Sequence, residues 1–188
     1  MRVRGVVFAG RDFAWFEPEN EVDVPQGRFS LCQGGLCDFR IEFAIPLEIA
    51  QPKQTTLEEL RVTISVGGAD KFGFPTSDVS LELTVFEREL KSRGTSQWFE
   101  DELLDIQAQL PTGCTFRSCF GCAYSDYSVY GHGFFGNMLC FRNIKDRYSK
   151  VKDKDEYMEI MDLSIETVQE TYVCPEFAIR RPGTGYRG

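Results

Sequence analysis

Three stretches of this chain alternate apolar and polar residues with a period of two. Phe39, Ile41, Phe43, Ile45 and Leu47 alternate with Asp38, Arg40, Glu42 and Ala44. Val62, Ile64 and Val66 alternate with Arg61, Thr63 and Ser65, and Val79, Leu81, Leu83 and Val85 with Ser80, Glu82 and Thr84. Successive side chains of a strand point to opposite faces, so each stretch reads as a strand with one buried face. Two earlier segments, Val3 to Ala9 and Phe13 to Phe16, read as strands too. Gly34-Gly35, Gly67-Gly68 and Pro75 punctuate the gaps as turn formers. Five or six strands without intervening helices predict an antiparallel sandwich or open barrel.

The periodicity changes after Gly94. Phe99, Leu103, Ile106 and Leu110 fall on one face of a helix, with Thr95 or Ser96 as its cap. Glu100, Asp101 and Glu102 lie at the positive end of its dipole, and Pro111 and Gly113 end it. The expected fold class is therefore α+β: a β-sandwich-like N-terminal region, a helix, and a small metal-braced C-terminal region. The expected division is residues 1–94 as an all-β domain and residues 95–188 as the helix plus the cysteine-rich part, packed on it. Residues 142–154 are basic and read as an exposed short helix. A second helix is expected around Asp155 to Met161, and a last strand over residues 167–174.

Five of the seven cysteines fall in the last 75 residues: Cys114, Cys119, Cys122, Cys140 and Cys174. Cys119-Phe120-Gly121-Cys122 is a C-x-x-C whose glycine permits a tight knuckle, bringing two sulfurs to one point. A tetrahedral zinc needs two more ligands, and Cys140 and Cys174 are the candidates, with Pro175 stiffening the turn after the latter. Cys114 and His132 are the alternative ligands. The C-terminal stretch has weaker apolar patterning than the N-terminal half, so a structural zinc would stabilise a marginal core. Cys114 also extends the spacing to C-x4-C-x2-C before Cys140, a ferredoxin-like iron–sulfur pattern. Against that pattern stand the bulky Thr-Phe-Arg-Ser insert and the short interval to the fourth cysteine. Cys32 and Cys37 flank Gln33-Gly34-Gly35-Leu36, a hairpin turn, and read as small buried apolar residues.

Beside the knuckle runs Tyr124-Ser125-Asp126-Tyr127-Ser128-Val129-Tyr130-Gly131-His132, a polar aromatic loop with the only histidine. Its spacing assigns no catalytic residue, and a four-cysteine zinc has no open coordination position. Tyr124, Asp126, Tyr127 and Tyr130, with Tyr186 and Arg187 from the tail, are the candidates for a binding surface. Net charge is −8, and residues 1–110 carry 11 Lys and Arg against 19 Asp and Glu. An acidic surface disfavours nucleic acid and suits a basic protein partner. No stretch is apolar enough for a membrane helix, and an odd number of cysteines argues against a disulfide framework. The expected compartment is the cytoplasm.

The segments Cys119-Phe-Gly-Cys-Ala-Tyr-Ser-Asp-Tyr-Ser128, Gln169-Glu-Thr-Tyr-Val-Cys-Pro-Glu-Phe177 and Pro182-Gly-Thr-Gly-Tyr-Arg-Gly188 carry a resemblance to an uncharacterised bacterial family, a domain of unknown function. The resemblance implies that the cysteines and the terminal motif belong together and that the tail is ordered. It implies no activity. Three functions follow from the sequence: a zinc-stabilised binding or adaptor module, an acidic inhibitor or immunity-type protein of a basic partner, or an enzyme using loop 124–132.

Overall fold

The structure is a computed structural model that describes residues 1–13, 15–20, 25, 27–131 and 135–186, with only the backbone of Arg11 and Asp12. The chain opens with β1 (Arg2–Val3), β2 (Val6–Asp12) and β3 (Trp15–Pro18), a small antiparallel sheet in that order. The strand expected from Val3 to Ala9 is broken at Arg4-Gly5. Both residues adopt positive φ, 47° and 90°, and turn β1 back on β2. The hairpin β4 (Ser30–Cys32) and β5 (Gly35–Cys37) closes through Gln33 and Gly34 at φ 49° and 88°. Two left-handed residues suit the right-handed twist of a two-residue hairpin.

The three alternating stretches form the centre of the molecule: β6 (Phe39–Ala50), β7 (Thr55–Ala69) and β8 (Pro75–Val85), extended by β9 (Arg88–Lys91). They pair antiparallel as a meander, and β10 (Thr115–Phe116) adds on the far side of β6. The register sets Ile45 opposite Leu60 and Leu60 opposite Leu83, so the apolar parity of all three strands lies on one face. Leu47, Ile49, Leu60, Ile64, Val79, Leu81 and Leu83 have no solvent exposure. The opposite face is charged and self-paired: Arg40 with Glu42, Arg61 with Glu59, and Lys91 with Glu82 and Glu89.

The covering layer on the apolar face is not a second large sheet. Helix α1 (Phe99–Gln109) lies there, burying Phe99, Leu103 and Ile106 in one core with the sheet residues. Phe116, Phe120, Met138 and the cysteines of the C-terminal region join the same core. The fold is thus α+β with antiparallel sheets, as the alternation and the α1 stripe predict. A helix and irregular chain cover the sheet because, among the described residues, 95–188 supply only short strands.

The N-terminus of α1 is built differently from the Thr95/Ser96 cap. Trp98 stands at the N-cap without a side-chain capping bond. Glu102, only 2% exposed, reaches back and accepts from the backbone N–H groups of Gly94 (2.8 Å), Thr95 (3.2 Å) and Ser96 (2.9 Å). One carboxylate thereby satisfies three donors ahead of the helix. Ser96 serves as a relay: its hydroxyl accepts from Trp98 N–H at 3.0 Å and donates to Asp101 at 2.7 Å.

The last third is a three-stranded antiparallel sheet of β11 (Ser125–Tyr127), β12 (Met138–Cys140) and β13 (Glu166–Val168), with β12 central. Between β12 and β13 run α2 (Lys145–Tyr148) and α3 (Lys154–Met158), each flanked by short 3-10 turns. The strand expected over 167–174 stops at Val168, because a turn closed by Tyr172 N–H on the Gln169 carbonyl follows. The basic stretch is partly inward: Tyr148 is fully buried, and Arg142 and Lys145 are ion-paired with Glu166 and Glu176. Among the described residues, no helix is long and apolar enough to cross a membrane.

Replacing Glu102 with Ala removes the shared acceptor of three part-buried donors and is expected to lower stability by about 1–3 kcal/mol. Urea unfolding reads this as a lower midpoint at unchanged slope. A midpoint equal to that of the unmodified protein would remove Glu102 from this role.

Candidate functional site

The Cys119–Cys122 knuckle is a 3-10 turn, closed by Gly121 N–H on the Ser118 carbonyl (3.0 Å) and Cys122 N–H on the Cys119 carbonyl (3.1 Å). Gly121 is required there, since a Cβ would come 2.7 Å from the Phe116 carbonyl oxygen. Two distant segments clamp the turn. On one side Cys119 N–H bonds to Tyr172 and Phe120 N–H to Glu170, both at 2.9 Å. On the other, Ala123 N–H bonds to Ala178 (2.7 Å) and Arg180 N–H to Gly121 (3.2 Å), with Cys122 opposite Ile179 in an antiparallel bridge. Cys174 lies in the chain between those two attachments. Cys140 arrives by the sheet, where it pairs with Ser125, three residues beyond Cys122.

The four cysteines are therefore gathered from three parts of the chain, and each is at most 5% exposed. Burial pushes the Cys119 thiol well above the usual range, and the neighbouring Cys122, Cys140 and Cys174 push it further. Burial likewise raises Cys140, while the backbone N–H and the charge of Arg142 oppose the rise. Cys174 Sγ accepts from Glu176 N–H at 3.4 Å and faces Arg142 Nη1 at 3.9 Å. Two sulfurs thus receive the backbone N–H two residues further on, and a guanidinium stands beside them. At Cys140 these contacts oppose the burial that nevertheless leaves its thiol raised. Among the described residues, no three His, Cys, Asp or Glu side chains form a group close enough to ligate one ion as they stand.

The alternative ligands fall differently. Cys114 is half-buried in the turn after α1, its N–H on the Pro111 carbonyl at 3.0 Å. His132 lies outside the described residues, as does Arg187. Cys32 and Cys37 are buried on one face of their hairpin; burial first, then Cys32, pushes the Cys37 thiol up to about 12. Cys37 therefore stays protonated at neutral pH.

Asp126 and Tyr127, expected at a binding surface, are buried. Asp126 accepts from Tyr127 N–H (2.9 Å) and the Tyr148 hydroxyl (2.8 Å), and the Tyr127 hydroxyl donates to Glu170 at 3.0 Å. Tyr124 is half-buried with Lys145 over its ring at 5.3 Å, and Tyr130 is 72% exposed. The sequence reading did not anticipate Arg180. Its guanidinium donates to the Tyr148 hydroxyl (3.2 Å), the Cys122 carbonyl (2.9 Å) and the Ser125 carbonyl. Arg180 and Asp126 thus meet at one tyrosine.

Around them is a small aromatic core that the sequence periodicity did not reveal. Phe141 stacks on Tyr148 at 4.8 Å and meets Tyr157 edge-on at 5.6 Å. Burial, then the Asp126 charge, holds the Tyr148 and Tyr157 hydroxyls above their usual range, so both stay neutral. Tyr186 stacks on Tyr157 at 4.8 Å, and Gly185 is buried against the Tyr148 ring. The tail is an ordered part of this core as far as Tyr186.

A model described as a family of unknown function, DUF6304, matches residues 1–125. The match spans the large sheet, α1 and the Cys119–Cys122 knuckle. No curated protein and no solved structure matches the chain.

Gly185 sits at φ +73°, and an added Cβ would come 2.6 Å from the Tyr148 ring. Gly185→Ala is therefore expected to detach the tail at a cost of about 1–3 kcal/mol. Faster amide exchange confined to residues 180–186 and a changed near-ultraviolet aromatic signal would report it; native exchange there would contradict it.

Proposed function

Since the chain belongs to DUF6304, a family whose description assigns no chemistry, we propose from the geometry that it is a binding module braced by one structural zinc ion on Cys119, Cys122, Cys140 and Cys174. The observation that carries this reading is the pair of N–H donors on Cys140 and Cys174 beside a shared guanidinium. Buried thiols that merely fill a core need no such donors. Four thiolates around a divalent zinc carry a net charge of −2, and Arg142 with the two backbone dipoles offsets part of it. The sulfurs share one neighbourhood without yet forming a ligand group, so the reading requires rotamer changes that draw them together.

Zinc would supply on the order of 10 kcal/mol to this region and would lock the clamped turn to β12. All four positions being thiolate leaves no site for substrate at the metal. The polar groups of loop 124–130 best suited to acid–base work, Asp126 and Tyr127, are buried and engaged with Tyr148 and Glu170. That favours binding over catalysis. Ion pairing across the charged face of the large sheet likewise weakens the reading as an acidic decoy.

Elemental analysis of the purified protein is expected to give one zinc per chain. Cys140→Ser and Cys174→Ser should each abolish it, whereas Cys32→Ser and Cys114→Ser should retain it. Chelator treatment should lower the melting temperature by well over ten degrees, given the size of the metal term. Metal-free protein with an unchanged melting temperature would end the proposal, and a brown protein containing iron and sulfide would replace zinc with a cluster.

A further inference from the structure

The segment after Cys174 has one edge occupied and one edge free. Its inner edge holds the knuckle through Ala178 and Arg180, with Ile179 bridged to Cys122. In an antiparallel bridge of this kind the N–H and C=O of the central residue point the other way. Among the described residues, neither backbone group of Ile179 has a hydrogen-bond partner, and the residue is 57% exposed.

Two clefts flank the same segment. One, of about 370 Å3, has an apolar wall of Leu104, Phe120 and Pro182. The other, of about 660 Å3, is lined by Tyr124, Ser149 and Thr184. Ile179 and Arg181 line both. Among the described residues, the only charged ones lining either cleft are Arg180 and Arg181, and no carboxylate does so, although the chain carries a net charge of −8. Arg180 is used internally by Tyr148, Cys122 and Ser125. Arg181 is exposed, and among the described residues nothing engages its guanidinium.

We propose that an extended acidic segment of a partner protein docks here as an added strand. Its backbone pairs with the N–H and C=O of Ile179, and its alternate side chains fall to the two sides of the segment. An apolar side chain packs against Leu104, Phe120 and Pro182, and a neighbouring carboxylate meets Arg181. A guanidinium suits a carboxylate because its paired N–H groups match the two oxygens. The edge is rigid because Cys122 and Gly121 hold its inner side and Gly185 and Tyr186 anchor the chain beyond it, so little ordering accompanies binding. The inference rests on the binding-module reading and supplies the class of its partner.

The test is a titration of isotope-labelled protein, after its zinc content has been measured, with the capped peptide Val-Glu-Val-Glu-Val. Its counterpart Val-Lys-Val-Lys-Val serves as the control. Saturable shifts of the Ile179 and Arg181 amides are expected with the glutamate peptide, with affinity about tenfold weaker for the lysine peptide. Arg181→Glu, at an exposed position, should reverse that preference, and Ile179→Pro should abolish binding by removing the N–H. No shift at Ile179 at millimolar peptide, equal shifts with both peptides, or the same shifts produced by inorganic phosphate alone would overturn the proposal. Zinc-loaded protein without peptide shifts refutes the docking alone; folded protein without zinc refutes the metal reading alone.

Discussion

Backbone hydrogen bonds from residues 119–123 to residues 170–172 and 178–180 hold the C-terminal region together. Four short bonds clamp a single 3-10 turn between two segments some fifty residues further along the chain. Everything distinctive about this part of the molecule follows from that clamp. It sets Cys174 opposite the Cys119–Cys122 pair, brings Arg180 over the carbonyls of Cys122 and Ser125, and leaves the outer edge of Ile179 open. Gly121 makes the clamp sterically feasible, because any larger residue would strike the Phe116 carbonyl.

The large sheet is the platform on which this arrangement rests. Its apolar face is continuous from β6 through β9, and it is covered by α1 together with Phe116, Phe120 and Met138. The knuckle therefore sits at the margin of the main core and not on a detached lobe. The smaller aromatic core of Phe141, Tyr148 and Tyr157 lies on the other side of β11 and β12. Buried Asp126 and half-buried Arg180 are linked between these layers through the Tyr148 hydroxyl, which donates to the carboxylate and accepts from the guanidinium.

Much of this was legible in the residues alone. The three central strands and their buried parity came from alternation, because every second residue of a strand must face the same way. The stripe Phe99, Leu103, Ile106 and Leu110 identified α1 to within a residue of its observed end. Its N-terminal chemistry was not legible, since Glu102 acts on residues six to eight positions before it, outside the spacing of any local capping pattern. The C-terminal core was underestimated for a related reason: Phe141, Tyr148, Tyr157 and Tyr186 share no period and are brought together by turns.

By itself the sequence determined the strand and helix segments that periodicity can encode, and the set of cysteines from which any metal site must be drawn. Only the tertiary structure decided which groups are spent and which are available. Asp126 and Tyr127 look like surface chemistry in a polar loop, yet β-pairing turns them inward, while Ile179 and Arg181 look like an ordinary tail and emerge as an open edge. The physical reason is that local pattern constrains which face a residue occupies within its own element. What that face meets depends on segments far away in the chain, and on whether their hydrogen bonds have already been used.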